Sequence, residues 1–591
     1  MSENNTGKAF DFNLFKRILR FTTPYRKTFY FVLFSAIALA CLGMLRPHFL
    51  GLIIDNALPE GNKVLLRELI LFMICVLIGE VLFQLSFIYF ANWLGQEVIR
   101  DIRVKLFNHM INFKKKYFDT SAVGRLVTRA VSDIETIASI FSQGLFMILS
   151  DVLKMLAVLL FMFYKSWQLT LLVLTVLPFI FYATRIFQRR MKVAFEEVRT
   201  QVSNLNSFVQ ERITGMKIVH IFNREEQEFK KFKDINNKHK IAWNKTVLYN
   251  SIFFPIAEMS ISITIGLLVW FGGLRVVESD TLSLGIIIAF IEYVRMLFAP
   301  LRQIADKFNS LQMGMVAANR VFGILDTTSH IPNHGTIVPK DMKGLINFDK
   351  VRFSYVENEE VLKGISFEVK PGETIAIVGA TGAGKSTVIN LLTRFYDIDS
   401  GVISIDSTNI KDFELTALRG KIAVVLQDVF LFAESIMFNI TLHDDSITRE
   451  EVIEAAKSIG VHDFIMNLPN GYDYNVKERG SMLSSGQRQL IAFLRAYVTK
   501  PSILILDEAT SSIDSYSEQL IQNATDELTK NRTSIIIAHR LATIKNADKI
   551  LVMKQGEIIE TGTHKELLQN AEGYYNKLYQ AQFEKESLLA P

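Results

Sequence analysis

The chain has 591 residues, 49% of them hydrophobic, and a positive mean hydropathy of +0.23. It is too long for one ordinary domain and too apolar for a soluble protein of several domains. The net charge is only +5, and the basic residues are concentrated in loops between apolar stretches, so membrane topology explains the basic pI and nucleic-acid binding does not.

The N-terminus and the cysteines carry no targeting or redox signal. The sequence MSENNTGKAFDFNLFKRILRF lacks the order of charged, apolar and small residues that marks a cleavable signal peptide. We expect it to remain as an amphipathic segment on the cytoplasmic side. Cys41 and Cys75 lie in apolar stretches, with neither metal-ligand nor disulfide spacing, and are expected to behave as small hydrophobic residues.

Six apolar stretches are long enough to approach or cross a bilayer core, which needs about 20 helical residues. They cover residues 28–54, 65–94, 143–164, 169–187, 252–277 and 284–308. The loops 95–141 and 188–250 are long and rich in Lys and Arg, whereas the other loops are short and carry little positive charge. The positive-inside tendency therefore predicts cytoplasmic long loops and termini, in a multi-pass protein of the inner membrane.

The long loops keep a helical period, and each contains a break, near Gly124 and near Gly215. Residues 325–344 have the Pro, Gly and polar content of a linker. Beyond them, the apolar runs TIAIVG, KIAVVLQ, ILILDEA and SIIIAH alternate with helical patterns, which predicts a parallel sheet covered by helices. The sequence thus predicts a membrane domain at 1–324, a linker at 325–344 and an α/β domain at 345–591.

A phosphate-binding loop follows the run TIAIVG. The sequence GATGAGKST fits G-x-x-x-x-G-K-[ST] between a predicted strand and a predicted helix. Its glycines let backbone N–H groups close around phosphates, Lys385 supplies charge at the β and γ positions, and Ser386 can ligate Mg²⁺. The residues predicted to bind ATP in this loop are Gly379, Thr381, Gly382, Ala383, Gly384, Lys385, Ser386 and Thr387.

Two acids end the apolar run ILILDE. Asp507 is placed to bind the Mg²⁺ of a nucleotide, and Glu508 to polarise the attacking water. Taken alone, the two acids could equally cap the following helix. The phosphate loop in the same domain favours the catalytic interpretation.

With these motifs in place, the chain resembles an ATP-binding cassette (ABC) exporter of the half-transporter type, the group of bacterial lipid flippases and multidrug exporters, over essentially its whole length. The other motifs occur in the family's order: Tyr355 in VRFSY, Gln427 in VVLQDVFLF, Glu478–Gly480, the signature LSSGQ from Leu483 to Gln487, residues 511–514, and His539 in SIIIAHR. The resemblance implies an all-α transmembrane domain of six helices, fused to a cytoplasmic α/β P-loop ATPase domain with a RecA-like core and a helical subdomain.

The resemblance also implies roles for single residues. Tyr355 would stack on adenine, Gln427 would meet Mg²⁺ and the attacking water, and His539 would contact the γ-phosphate. Each also has a structural interpretation, as an ordinary strand aromatic or as a polar residue at a strand end. The implied metal ligands are Ser386, Gln427 and Asp507, and the implied catalytic residues are Glu508, His539 and Gln427.

The signature stretch SMLSSGQRQLIAF opens a helix but contains no lysine. Ser484 can cap this helix, which leaves N–H groups and the positive end of the helix dipole for an anion. In the family, two ATPase domains dimerise head to tail, so Ser484, Ser485, Gly486 and Gln487 would contact the ATP bound by a partner chain. Ser485 replaces the family's first glycine. A homodimer and a heterodimer both stay open.

Ionisable residues inside the predicted spans are costly and suggest a function. Two pairs with a spacing of three could neutralise each other on one helix: Asp151 with Lys154, and Glu292 with Arg295. Glu80 and Glu258 lack such a local partner. They either pair between helices, which we favour, or line a substrate path.

We therefore predict an ATP hydrolase coupled to transport: a dimer that exports or flips an amphipathic, lipid-like or drug-like solute by alternating access. ATP and Mg²⁺ are its cofactors, and a second half-transporter and the lipid bilayer are its partners, with no nucleic acid. Two alternatives keep the architecture, namely an ATP-gated channel or regulatory membrane protein, and an importer of the siderophore type. The presence of Glu508 and His539 argues against the channel.

Overall fold

The computed structural model describes residues 11–278, 282–331, 333, 335–507, 515–538 and 541–587. The chain divides into two compact units. The first comprises Met1–Ile111 and Ser121–Thr328, and the second comprises Asn112–Thr120 and Ser329–Pro591. The second unit thus includes a segment from the loop after the second predicted span, which the sequence analysis grouped with the membrane domain.

Helices build the first unit. Their bounds are α1 Phe12–Arg20, α2 Arg26–Leu52, α3 Lys63–Ile111, α5 Val123–Thr128, α6 Ile134–Ser139, α7 Phe146–Lys165, α8 Trp167–Thr214, α9 Met216–Ile221, α10 Glu225–Glu278 and α11 Leu284–Leu325. The short helix α4, Lys115–Thr120, belongs to the second unit. Three π-helical segments, Ile53–Ala57, Arg129–Asp133 and Ile140–Leu145, extend α2, join α5 to α6 and join α6 to α7.

Five helical stretches within the described residues are long and apolar enough to cross a membrane: Thr23–Ala57, Lys63–Ile111, Val123–Lys165, Trp167–Thr214 and Glu225–Val277. The first five predicted spans lie inside them. The sixth, 284–308, lies inside α11, where the side chains of 301–306, 308 and 309 are outside the described part of the chain. The predicted multi-pass helical unit is therefore confirmed.

The first of these helices, α2, buries small residues and contains a proline. Its buried positions are Val32, Ser35, Ala36, Ala40, Gly43, Pro47 and Gly51, and small side chains let neighbouring helices approach closely. Pro47 has no N–H, so the helical hydrogen bond to the carbonyl of Gly43 is missing. The buried Tyr293 of α11 donates a hydrogen bond to the carbonyl of Met44 at 2.8 Å, which ties α11 to this interrupted part of α2.

An aspartate joins the ends of α2 and α11, which we call the Asp55 clasp. The Asp55 carboxylate accepts hydrogen bonds from the Ser283 hydroxyl at 2.5 Å and from the backbone N–H of Gly285 at 2.7 Å. Ser283 is also the N-cap of α11 and accepts from the Ile286 N–H at 3.3 Å. The clasp therefore satisfies the first amides of α11 and neutralises the positive end of its dipole.

One charged residue of the spans, Asp151, forms an ion pair with a residue of another helix. Lys307 of α11 forms an ion pair with Asp151 of α7, so Asp151 pairs between helices and not with Lys154. A Cβ at Gly43 would lie 3.7 Å from Cε of Lys154 and 3.8 Å from Oε1 of Glu80. Lys154 of α7 and Glu80 of α3, which have opposite charges, thus both approach Gly43 of α2. The other carboxylate oxygen of Glu80, Oε2, is buried without a hydrogen-bond partner in the described structure.

The second unit contains two sheets. The strands are β1 Ile346–Ser354, β2 Glu360–Val369, β3 Thr374–Gly379, β4 Ser400–Ile405, β5 Thr408–Asn409, β6 Ile422–Val425, β7 Ile503–Asp507, β8 Thr533–Ile537, β9 Lys549–Lys554 and β10 Glu557–Gly562. An antiparallel sheet has the order β2-β1-β4-β5, and a second sheet has the order β10-β9-β3-β8-β7-β6. In the second sheet all neighbours are parallel except β9 and β10.

Alternating burial puts two different cores on the two faces of the six-stranded sheet. The helices are α12 Lys385–Leu392, α13 Leu415–Gly420, α14 Ile436–Thr441, α15 Arg449–Ser458, α16 His462–Met466, α17 Ser485–Val498, α18 Ser515–Thr529, α19 Leu541–Asn546, α20 His564–Gln569 and α21 Tyr574–Ser587. Ile375 and Ile377 of β3 pack in one core with α12, whereas Ala376 and Val378 pack in the other with α17. The two helices therefore lie on opposite faces. The helices α14–α17 form the predicted helical subdomain, inserted between β6 and β7.

The approach of α2 to α11 at the Asp55 clasp leaves no room for a side chain. A Cβ at Gly285 would lie 2.1 Å from the carbonyl oxygen of Gly51. We expect Gly285→Ala to lower the free energy of unfolding by about 1–3 kcal/mol, because the two backbones must separate. The measurement is the Tm of the purified protein in detergent. Gly266→Ala on α10 is the matched control, since no other described part of the chain comes within 4 Å of its Cβ position beyond its chain neighbours and the nearby backbone of its own helix. Equal Tm values for the two variants would contradict this account.

Candidate functional site

The phosphate loop lies between β3 and α12 and is shaped by two glycines. Gly384 is the residue before α12, with φ of +99°, and a Cβ there would lie 2.8 Å from Cδ2 of Leu362. A Cβ at Gly379 would lie 2.3 Å from the carbonyl oxygen of Met553 on β9. Only glycine fits these two close approaches. The loop is therefore held against the adjoining strands before any ligand binds.

Lys385 lies under the loop that it follows. Its ammonium donates hydrogen bonds to the carbonyls of Gly379 at 2.7 Å and Ala380 at 3.1 Å, and the residue is only 8% exposed. Burial lowers the pKa of Lys385, and the nearby Asp507 carboxylate opposes that shift. The result is a desolvated cation that is already oriented by the loop's own backbone and ready to meet phosphate oxygens.

Asp507 is the last residue of β7, at the same edge of the sheet. Burial raises the pKa of this carboxylate, the Lys385 ammonium lowers it, and Asp428 raises it further. The carboxyl ends of β3, β6 and β7 face the same edge because these strands are parallel to one another through β8. Asp428, which no motif in the sequence marks, adds negative charge to this edge.

The oxygen atoms at this edge suit Mg²⁺. Ser386 is the second residue of α12, next to Lys385, and Gln427 follows β6 in an exposed turn. A hydroxyl, an amide carbonyl and one carboxylate are hard oxygen donors, and Mg²⁺ is commonly held by one or two carboxylates together with nucleotide phosphates. Within the described residues, no group of three or more His, Cys, Asp or Glu could hold a metal by itself. The donor set therefore fits a Mg²⁺ ion that arrives with a nucleotide.

Tyr355 lies beside the phosphate loop on a floor of aromatic rings. Its ring meets Phe353 edge-on at 4.7 Å and Tyr396 edge-on at 5.0 Å between centroids. Its hydroxyl donates to Thr387 of the loop at 3.3 Å and accepts from the Asn390 amide at 3.1 Å. The tyrosine is half-buried and fixed by its polar end, so its ring is oriented as a stacking surface requires.

The signature stretch forms a capped helix start. Ser484 is the N-cap of α17, and a capping box joins it to Gln487: the Gln487 N–H donates to the Ser484 hydroxyl at 3.2 Å, and the Ser484 N–H donates to the Gln487 side chain at 2.9 Å. Ser485 is exposed and Gly486 is buried in the first turn. The side-chain carbonyl of Gln487 is thus occupied locally, as the capping-box spacing of Ser484 and Gln487 in the sequence indicates.

Several predicted residues lie outside the described part of the chain, namely Glu508, residues 511–514 and His539. Of the loop residues, Thr381 and Gly382 are exposed, whereas Ala383 and Thr387 are buried. The phosphate loop and Asp507 lie at the same edge of the six-stranded sheet, and the Tyr355 hydroxyl contacts Thr387 of the loop. The sequence analysis missed Asn390, whose amide contacts Tyr355, because nothing in a helix of ordinary composition marks such a residue.

Comparison with known proteins agrees with this geometry. Residues 29–301 match the family described as "ABC transporter transmembrane region", and residues 362–511 match the family described as "ABC transporter". The "Uncharacterized ABC transporter ATP-binding protein YknV" of Bacillus subtilis (strain 168) is 35% identical over 98% of this chain and 96% of its own length. A "Putative multidrug export ATP-binding/permease protein" of Staphylococcus aureus (strain NCTC 8325 / PS 47) is 37% identical over 96% of this chain and 100% of its own length.

The burial of Asp507 leads to a prediction that separates stability from activity. Because its pKa is raised on folding, ionisation of Asp507 destabilises the folded, nucleotide-free protein. The destabilisation is largest at pH values above the raised pKa, and it disappears as the pH falls below the ordinary pKa of 3.8. We expect Asp507→Asn to raise Tm at pH 8, with a gain that shrinks towards acidic pH, and to abolish Mg²⁺-dependent ATP hydrolysis.

Asp473→Asn is the control with the opposite sign. A hydrogen bond from Arg449 lowers the pKa of this exposed carboxylate, so its loss should lower Tm slightly at pH 8 and leave hydrolysis intact. A Tm for Asp507→Asn below that of the parent protein at pH 8 would contradict the assigned cost of burial.

Proposed function

Because the chain belongs to the ABC transporters and unites their transmembrane region with their ATPase domain, we propose that two such chains form an exporter that alternates between inward-facing and outward-facing states. The ATPase domain hydrolyses ATP in coupling with transport. In our proposal the solute is amphipathic, lipid-like or drug-like. The second unit and both termini are cytoplasmic, at the inner membrane.

The positions of α12 and α17 on opposite faces of one sheet carry the proposal of a dimer. The phosphate loop precedes α12 and the signature precedes α17, yet the two helices pack in different cores. A nucleotide pocket that uses both motifs therefore requires two chains, with the signature of one chain over the phosphate loop of the other. The capped start of α17 offers backbone N–H groups and a positive dipole end to the γ-phosphate of the partner-bound ATP.

Exposed apolar side chains support the same assembly. Ile218 and Ile221 of α9 and the adjoining Phe222 are between 62% and 67% exposed. In the second unit, Phe430 and Phe432, just after Gln427, are 53% and 47% exposed. Apolar patches of this kind mark protein contacts. We propose that the α9 tip docks on the ATPase unit of the partner chain, where it transmits closure to the membrane helices.

The roles within the pocket follow from chemistry. Lys385 and the loop amides hold the β- and γ-phosphates, Tyr355 stacks on the base, and Ser386, Gln427 and Asp507 hold Mg²⁺, which neutralises phosphate charge when bound. Glu508 orients the attacking water, and His539 contacts the γ-phosphate. ATP binding can drive the change of conformation only if ATP binds the closed dimer more tightly than the open dimer.

Glu508→Gln tests the assigned base. We expect ATP binding to persist and turnover to be nearly abolished, because an amide cannot polarise the attacking water as a carboxylate does. The measurements are ATP affinity and steady-state ATPase rate of the purified protein. Glu518→Gln, which removes a carboxylate ten residues later in the chain, on α18, is the control and should hydrolyse ATP at the parent rate. An unchanged rate for Glu508→Gln would overturn the assignment.

Ser485→Gly tests whether this chain's signature is a weakened one. Serine is small and adds a hydroxyl, so we expect the ATPase rate to change little. The purified chain's mass, measured together with this rate, also reports on the assembly. A rate that rises by orders of magnitude in Ser485→Gly would favour a heterodimer, in which this chain pairs with a different half-transporter.

Solute flux separates the exporter from its two alternatives. In proteoliposomes, the proposed exporter moves an amphipathic dye away from the ATPase side against its gradient, whereas an ATP-gated channel only dissipates the gradient. An importer of the siderophore type moves its solute towards the ATPase side. Net flux that needs ATP but never exceeds equilibrium would reject export.

A further inference from the structure

Two opposite charges lie at the middle of the membrane unit, on two helices that pack against α2. Glu80 is at the centre of the predicted span 65–94 on α3, and Lys154 is at the centre of the span 143–164 on α7. The hydrocarbon core of a bilayer is about 30 Å thick, so about 15 Å separates either residue from the headgroups. Neither side chain is long enough to reach that far. Whatever satisfies these charges must therefore lie within the membrane-embedded part of the protein.

The two charges meet at one glycine but do not pair. A Cβ at Gly43 would lie 3.7 Å from Cε of Lys154 and 3.8 Å from Oε1 of Glu80. Glu80 and Lys154 form no ion pair within the described residues, and Oε2 of Glu80 is buried there without a hydrogen-bond partner. Asp151, one turn before Lys154, is already paired with Lys307. Because unpaired charges at this depth are costly, the arrangement favours a bound molecule that carries both opposite charges.

Methionine side chains border the same place. Cε of Met296 on α11 lies 3.4 Å from the position of a Cβ at Gly43. Met44 and Met155 directly follow Gly43 and Lys154 in the chain, and all three methionines are partly buried against one core of the membrane unit. Methionine is unbranched and polarisable, so it adapts to ligands of different shape. A ligand beside Gly43 would meet two charged groups and an adaptable apolar surface, which suits an amphipathic molecule.

We propose that Glu80 and Lys154 form a binding site for the headgroup of a zwitterionic amphiphile. Its primary ammonium donates hydrogen bonds to the Glu80 carboxylate, and its phosphate or carboxylate accepts from the Lys154 ammonium; both bonds are charge-assisted. A primary ammonium fits better than a quaternary one, because only N–H groups can donate to a carboxylate that lacks a donor. This inference rests on the proposed function only in making the amphiphile the transported solute.

Three single-chain phospholipids with the same tail test the required charges. Lysophosphatidylethanolamine carries both groups, lysophosphatidylglycerol lacks the ammonium, and lysophosphatidylcholine has an ammonium without N–H. The full chain in a nonionic detergent should bind lysophosphatidylethanolamine about tenfold more tightly than lysophosphatidylglycerol, because it gains a charge-assisted hydrogen bond. It should also bind lysophosphatidylethanolamine more tightly than lysophosphatidylcholine. Native mass spectrometry measures the Kd of each lipid.

Two variants should change this selectivity in different ways. Glu80→Gln should weaken the binding of lysophosphatidylethanolamine about tenfold and should not weaken that of lysophosphatidylglycerol. Lys154→Gln should weaken both lipids about tenfold, but it should not weaken the binding of dodecylammonium, which has no acidic group. A residue that only supports the fold would weaken all these ligands alike.

Glu68→Gln on α3 and Lys192→Gln on α8 are the matched controls, because each makes the same exchange at an exposed position. Both should keep the selectivity of the parent protein. The double variant Glu80→Gln/Lys154→Gln leaves neither charge unpaired, so it tests the site even if a single variant fails to fold. It should lose the preference for lysophosphatidylethanolamine.

Three results would overturn the proposal. In the first, the parent protein binds lysophosphatidylglycerol or lysophosphatidylcholine as tightly as lysophosphatidylethanolamine, and in the second, Glu80→Gln keeps the parent's preference. In the third, free phosphoethanolamine, which has no tail, binds as tightly as the lipid, which would identify a small polar ligand.

Two other accounts of the site predict different patterns. If Glu80 and Lys154 only pair with each other, each single variant lowers Tm, the double variant restores it, and the lipids are not distinguished. A failure of the proposed export function would instead leave the lipid selectivity intact, while dye flux in proteoliposomes would be missing.

Discussion

The electrostatic attraction between a buried lysine and a half-buried aspartate, at the carboxyl edge of a parallel sheet, is the interaction on which the nucleotide site depends. Lys385 is held by the carbonyls of its own loop, and Asp507 ends the strand β7, separated from β3 only by β8. Because both groups are desolvated, their charges act strongly on whatever enters.

The alternation of side chains along β3 then determines the rest of the unit. Successive residues of this strand face different cores, one containing α12 and the other containing α17. A single strand therefore positions the phosphate loop and also separates it from the signature helix. In the proposed dimer, this local pattern of burial is the reason that each nucleotide is expected to need the signature helix of a second chain.

The features that could be predicted from the sequence are those that neighbouring residues in the chain determine. The spans, the loop GATGAGKST and the capped helix at Ser484 are visible because a short run of residues determines each of them. It could not find Asn390, the Lys307 partner of Asp151 or the packing of 112–120, since these depend on residues far apart in the chain. Gly124 and Gly215 indicate sharp turns in the two long loops. The segment that belongs to the ATPase unit, residues 112–120, precedes Gly124 and contains no glycine.

The Asp55 clasp has a consequence for how the protein is made. Its two donors come 228 and 230 residues after the aspartate, so at about 5–20 residues per second the ribosome needs roughly 10 to 45 s to supply them. Throughout that interval α2 has been synthesised, whereas the two groups that donate to the Asp55 carboxylate in the folded protein have not. The end of the bundle at the Asp55 clasp therefore closes only after α11 has been synthesised, and a chain that stalls before α11 lacks both donors of the clasp.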